Sequence, residues 1–211
     1  MESKEHIMDL EKYLKDNPDD LTMQQKVKLR REVHAEARES GVLSDEMVDY
    51  RLWLEKLPSR CESFADYLSG PLMRYAGGTI LEVGCGPRAR LARSLLDRGY
   101  NVEAIDPKLE MRSRIFRRES FTIDYPHLDS FQAVIALEPC EATELVIRAC
   151  TQQKVPFFVV PCGSPHPRID GTLDKTTAEW WAYLMNLNSK IRISPIELDK
   201  EFDLPVLIYQ P

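Results

Sequence analysis

The stretch Thr79–Asp106, TILEVGCGPRARLARSLLDRGYNVEAID, limits what this chain can fold into more than any other. It opens with an apolar run (Thr79, Ile80, Leu81, Val83) that reads as a buried strand. The run breaks into Gly84-Cys85-Gly86-Pro87, where glycine lets backbone and ligand come close. A helix is expected from Ala89 to about Arg98, with Leu91, Leu95 and Leu96 on one face and Gly99 as its stop signal. A second apolar strand, Val102–Ile105, ends in Asp106. Strand, glycine turn, helix, strand and terminal acid make half of a nucleotide-binding βαβ unit. The helix N-terminus lies at the turn, so its unpaired N–H groups face whatever binds there.

Read literally, Gly84-x-Gly86-x-x-Ala89 satisfies the dinucleotide fingerprint G-x-G-x-x-G/A, so an NAD-dependent oxidoreductase is one reading. Glu82, two residues before the first glycine, argues against it. A carboxylate there sits badly beside a pyrophosphate and well beside a sulfonium and an ammonium group, because it stabilises nearby positive charge. The run Leu81-Glu82-Val83-Gly84-Cys85-Gly86 resembles motif I of the class I S-adenosylmethionine-dependent methyltransferases. That resemblance implies a Rossmann-like, doubly wound, mostly parallel seven-stranded sheet. It also implies that Glu82, Gly84, Cys85, Gly86, Asp106 and Pro107 bind S-adenosylmethionine, with Asp106 on the ribose. One departure stands out: where the family often has a third glycine, this chain has Arg88. A non-catalytic, cofactor-binding member of the same fold is a further reading, favoured by that departure.

The chain is 211 residues long, 43% hydrophobic and 29% charged, long enough for one full core plus an appendage. Its net charge of −6 supplies no basic field for nucleic acid, so a small-molecule methyl acceptor is preferred over RNA or protein. The five cysteines, an odd and scattered set, argue against a disulfide framework. No run is long enough to span a membrane and the first residues lack a signal-peptide core, so a cytoplasmic protein is expected.

Residues 1–70 read as a helical extension and residues 71–211 as the sheet domain. Helices are expected over Glu5–Lys15, from the capping box Thr22-x-x-Gln25 to Ser40-Gly41, over Asp45–Leu57, and over Ser59–Leu68 before Gly70-Pro71. After Asp106 the crossover leaves room for barely one helical turn before a third strand near Ser113–Arg117. The resemblance then places Glu119, Ser120 and Phe121 against the adenine, with Asp124 as the competing acid. Arg112, Arg114, Arg117 and Arg118 form a local basic cluster, a solvated face by default and the one opening for a nucleic-acid partner.

Phe131–Leu137 is the next buried strand, ending in Glu138-Pro139-Cys140; a helix over Glu141–Gln153 leads to a fifth strand, Val155–Pro161, then Cys162-Gly163. Thr176-x-x-Glu179 caps a helix carrying Trp180, Trp181, Tyr183, Leu184 and Leu187, and Ile191–Ile193 with Leu204–Tyr209 closes the sheet as an antiparallel pair. Ligands of doubly wound sheets bind beyond the carboxyl ends of the strands. Glu82–Gly86, Asp106, Glu138–Cys140 and Cys162–His166 therefore share one rim. Glu138 is the leading catalytic residue, as base or as orienter of a substrate amine, and it also borders the cofactor; its alternative is a helix N-terminal carboxylate. His166, on a proline-punctuated loop, is second. Cys85, Cys140 and Cys162 with His166 would be a Cys₃His zinc inventory, but no close C-x₂-C spacing supports it, and no metal is assigned.

Overall fold

A computed structural model describes residues 60–75, 77–199 and 202–211. The helices expected over residues 5–57 lie outside them. The first described element, α1, is helical over 60–72 and runs through Gly70-Pro71 instead of stopping at Leu68. Phe64, Leu68 and Leu72 repeat at helical spacing and are fully buried, and that burial carries the helix past the breakers. The helix straddles the expected boundary at residue 70.

The sheet follows as β1 (Thr79–Val83), α2 (Arg90–Asp97), β2 (Asn101–Ile105), β3 (Phe116–Arg117), β4 (Ala133–Leu137), α3 (Ala142–Gln153) and β5 (Phe157–Val160). It closes with α4 (Thr177–Asn186), β6 (Arg192–Asp199) and β7 (Phe202–Tyr209). The seven strands lie in the order β3-β2-β1-β4-β5-β7-β6. The first five are parallel, and β7 runs antiparallel to both β5 and β6. This is a Rossmann-like, doubly wound sheet with an antiparallel hairpin at one edge. Its central strands, TILEV, AVIAL and FFVV, are buried on both faces and so read as apolar runs, with Glu82 of β1 the one charged residue in them.

The crossover from β2 to β3 carries no helix among its described residues, and β3 is only two residues long. With Pro107 two residues past β2, the segment turns at once and the chain returns as loop. By contrast α2 forms because Leu91 and Leu95 bury one face, and Gly99, with φ 85°, ends it. The adjacent tryptophans of α4 divide their work. Trp180 is buried in the core, while Trp181 turns its indole to donate to the Cys162 carbonyl at 3.2 Å. All five cysteines are free.

Register fixes the rim. Val83 pairs with Ile105, Ile105 with Arg117, and Leu137 with Val160, so strands β1 to β5 end nearly level. The residues one step beyond are Gly84, Asp106, Arg118, Glu138 and Pro161.

Candidate functional site

The glycine turn is built from both sides. Gly84 and Gly86 have φ of 72° and 67°, a left-handed backbone that side-chain-bearing residues adopt at a cost. A Cβ on Gly84 would stand 2.8 Å from the Cβ of Pro139 and 2.9 Å from its Cα, so the loop after β4 packs directly on the turn. A Cβ on Gly86 would meet no described atom within 4 Å. The Gly84 and Cys85 N–H groups both donate to the Ile105 carbonyl, at 3.0 and 3.3 Å. Arg88 is exposed and leaves the turn uncrowded.

Asp106 holds the turn from β2. One carboxylate oxygen accepts from the Gly86 N–H at 2.9 Å and the other from the Lys108 N–H at 2.6 Å. An ionised carboxylate offers about four acceptor sites, so two remain for a ligand's hydroxyls.

Glu82 lies beneath the same turn, 2% exposed. Its Oε2 accepts from the Ala92 N–H at 2.8 Å. Ala89, the residue at the N-cap of α2, has no side chain to do this, and Glu82 takes over from the neighbouring strand. Burial pushes its carboxyl up from 4.5 to about 8; the Ala92 N–H opposes the shift and the Asp106 charge adds to it. Among the described residues no cationic side chain forms an ion pair with Glu82.

The expected adenine side is more structural. Phe121 is buried in the core and stacks on Tyr125 with ring centroids 5.0 Å apart. Glu119 accepts from the Tyr125 hydroxyl and lies 3.8 Å from Arg117. Ser120 and Asp124 are exposed. Two of the four clustered arginines are engaged within the fold. Arg117 pairs with Glu103 at 3.3 Å and donates to Tyr125 Oη at 2.7 Å, and Arg118 donates to the Pro107 carbonyl at 3.1 Å.

Glu138 is not a helix cap. It has φ 50°, stands one residue beyond β4, and accepts from Arg60 Nη1 of α1 at 2.9 Å, with both side chains buried. Sequence reasoning missed Arg60, since an arginine within a charged, helical stretch reads as solvated. Two residues on, Cys140 also has positive φ, 52°. Its thiol lies 3.7 Å from that of Cys162. The three ligand atoms of Cys140, Cys162 and His166 lie within 4.8 Å of one another. Cys85, the fourth member of the expected inventory, is not in this group; burial beside Glu82 and Asp106 pushes its thiol up, against ionisation.

The loop carrying His166 is tied down on α3 and α4. Glu144, 2% exposed, accepts from Ile169 N at 2.9 Å, Tyr183 Oη at 2.6 Å and Arg148 Nε at 2.7 Å. Arg168 lies over the Tyr183 ring, 3.7 Å from its centroid. This buried carboxylate was not legible in the sequence, where an acidic residue in the first turn of a helix reads as solvated.

No family model and no curated protein matches the chain. Among solved structures it is similar to the glycopeptide N-methyltransferase MtfA complexed with S-adenosylmethionine, at 14% identity and TM-score 0.46, over 71% of this chain and 94% of that one. It is similar to magnesium protoporphyrin IX methyltransferase of Synechocystis PCC 6803, at 11% identity and TM-score 0.46, over 72% and 80% of the two chains. A third is the 1,6-didemethyltoxoflavin-N1-methyltransferase of Burkholderia thailandensis, at 13% identity and TM-score 0.44, over 89% of each chain. The fold itself is set by the strand order and register, not by these similarities. No helix among the described residues is long and apolar enough to cross a membrane.

Proposed function

We propose that residues 71–211 bind S-adenosylmethionine at the Gly84–Gly86 turn and act as a methyltransferase on a small-molecule acceptor. The observation that carries this reading is Glu82: a carboxyl buried beneath a bare-backbone turn, with no cationic side chain paired to it among the described residues. Such a group fits a guest bearing ammonium and sulfonium charge. A pyrophosphate would instead face two carboxyl groups, Glu82 and Asp106, which weighs against the dinucleotide reading. The cofactor supplies a methyl group on a sulfonium sulfur, transferred in line to an acceptor lone pair.

Placing the reactants accounts for most of such a reaction, and the chain's rigid parts serve that end. Glu82 and Asp106 hold the cationic and ribose ends, with Cys85 and Pro107 alongside. Glu119, Ser120 and Phe121 border the adenine. Glu138, held by Arg60, orients an acceptor amine at the mouth, and His166, on the loop after β5, is the second candidate. The net acidic charge and the engagement of Arg117 and Arg118 within the fold support a small acceptor over nucleic acid. A non-catalytic cofactor-binding role is the second reading, favoured by the engagement of Glu138 with Arg60.

Calorimetric titration of the purified chain with S-adenosylmethionine and with NAD separates these readings. Binding of the first alone is expected, and binding of NAD alone ends the proposal. Turnover against pools of small amines, thiols and alcohols then divides the enzyme from the binding module.

A further inference from the structure

The cluster after β4 and β5 offers chemistry that the proposed cofactor site does not use. Cys140 and Cys162 stand on loops of neighbouring parallel strands, and His166 lies four residues past Cys162. Their two sulfurs and one imidazole nitrogen gather within 4.8 Å. A zinc ion with bonds of about 2.3 Å to sulfur holds two thiolates roughly 3.7–3.8 Å apart across a tetrahedral edge. The Cys140–Cys162 separation is 3.7 Å. A disulfide would need the sulfurs at about 2.05 Å, far closer than they stand.

We propose that Cys140, Cys162 and His166 form a tetrahedral site for a zinc-class divalent cation, with the fourth position open. The donor set decides the class: two thiolates and an imidazole suit zinc, whereas magnesium and calcium take oxygen ligands. The three donors stand close to a tetrahedral arrangement already, with the two sulfurs 3.7 Å apart and the imidazole nitrogen within 4.8 Å of both. The surroundings are fixed. Trp181 Nε1 donates to the Cys162 carbonyl at 3.2 Å and Thr177 Oγ1 to the Gly163 carbonyl at 2.6 Å, holding the loop between Cys162 and His166.

Three protein ligands and an exchangeable fourth are the pattern of catalytic rather than structural zinc. Cys140 is exposed, so the open position faces solvent, and Pro139 beside it packs on Gly84. The cation would therefore stand next to the glycine turn, where it can bind a water or a thiol in its deprotonated form. This goes beyond the methyltransferase reading and does not need it.

The test is cobalt(II) titration of the full chain, stripped of metal and kept reduced with a phosphine. One equivalent is expected to bind, with sulfur-to-cobalt charge-transfer bands of two thiolates and the visible bands of a tetrahedral ion, both abolished by zinc. Cys140→Ser should halve the charge-transfer intensity, and His166→Asn should weaken binding at least about tenfold. Cys85→Ser should leave the spectrum unchanged. Adding 2-mercaptoethanol to the cobalt form should raise the intensity by the share of a third thiolate, and an unchanged spectrum overturns the open position. A folded wild-type chain that binds no cobalt, or binds it with the weak spectrum of an octahedral ion, overturns the site. So does a reduced chain indifferent to cobalt that forms a Cys140–Cys162 disulfide in air. Cys140 is exposed, so its substitution tests the site without disturbing the core. No cofactor enters these measurements, so their failure and a failure to bind S-adenosylmethionine are separate results.

Discussion

Arg60 Nη1 donates to Glu138 Oε2 at 2.9 Å, and the two side chains are 4% and 7% exposed. The pair joins α1 to the end of β4, so the helix that precedes the sheet holds a residue of the rim. Desolvating two charges consumes most of their attraction, but removing one partner leaves the other buried without its counter-charge. Arg60→Met is therefore expected to lose about 3–5 kcal/mol in urea unfolding at neutral pH. Arg60→Met with Glu138→Gln should recover part of that loss. Equal destabilisation of the single and double variants would mean that packing, not charge, explains the effect.

The two glycines of the turn predict different outcomes. Gly84→Ala meets both left-handed strain and the Pro139 backbone at 2.9 Å, and should destabilise the fold by more than the roughly 1–2 kcal/mol of strain alone. Gly86→Ala carries the strain without a described neighbour within 4 Å. It should lower the melting temperature less and yet weaken S-adenosylmethionine binding at least as much, because its methyl occupies the space assigned to the guest. Thermal melts and calorimetry on both variants check this. A Gly86→Ala chain that binds normally removes the guest from that position.

Glu144 anchors the loop that presents His166, through Ile169 N–H, Tyr183 hydroxyl and Arg148. Tyr183→Phe deletes one donor and should cost about 1 kcal/mol. Glu144→Ala removes the shared acceptor of the Ile169 N–H, the Tyr183 hydroxyl and Arg148 at once, and should cost more and open the 163–174 loop to limited proteolysis. A loop equally resistant in wild type and Glu144→Ala would show that Arg168, through Asp174 and the Tyr183 ring, suffices to hold it.

What the sequence disclosed follows from how strongly each feature is encoded locally. Central strands of a parallel sheet are apolar on both faces, so β4 and β5 read as unbroken runs and β1 as one broken by Glu82 alone, and the left-handed backbone of the turn after β1 favours glycine at Gly84 and Gly86. The capping box at Thr176 and Glu179 is likewise a local pattern, and it forms as expected. The two-residue β3 and the helix-free crossover carry too few residues to show a period. Arg60 and Glu144 were hidden because burial of a charge depends on a partner distant in sequence, at 78 residues for Arg60 and Glu138. The rim rule placed Cys140, Cys162 and His166 together with Cys85, since strand ends are readable. It could not exclude Cys85, whose side-chain direction is set by the turn.

Glu82 makes binding and stability depend on pH in opposite senses. Its carboxyl is raised from 4.5 to about 8 in the folded chain. Between those values the unfolded chain gives up this proton while the folded chain keeps it, so the contribution to stability is present below about pH 4.5 and falls as pH rises toward 8. A cationic guest favours the ionised form, so binding at pH 7 should release roughly nine-tenths of a proton, and affinity should rise close to tenfold per pH unit until about pH 8. Calorimetry in two buffers of different ionisation enthalpy measures that proton directly. Glu82→Gln should flatten this share of the pH dependence of stability, keep the acceptor for Ala92 N–H, and abolish proton release with most of the affinity. A wild-type chain that binds S-adenosylmethionine with no proton release and a flat pH profile would place the cationic end of the guest away from Glu82.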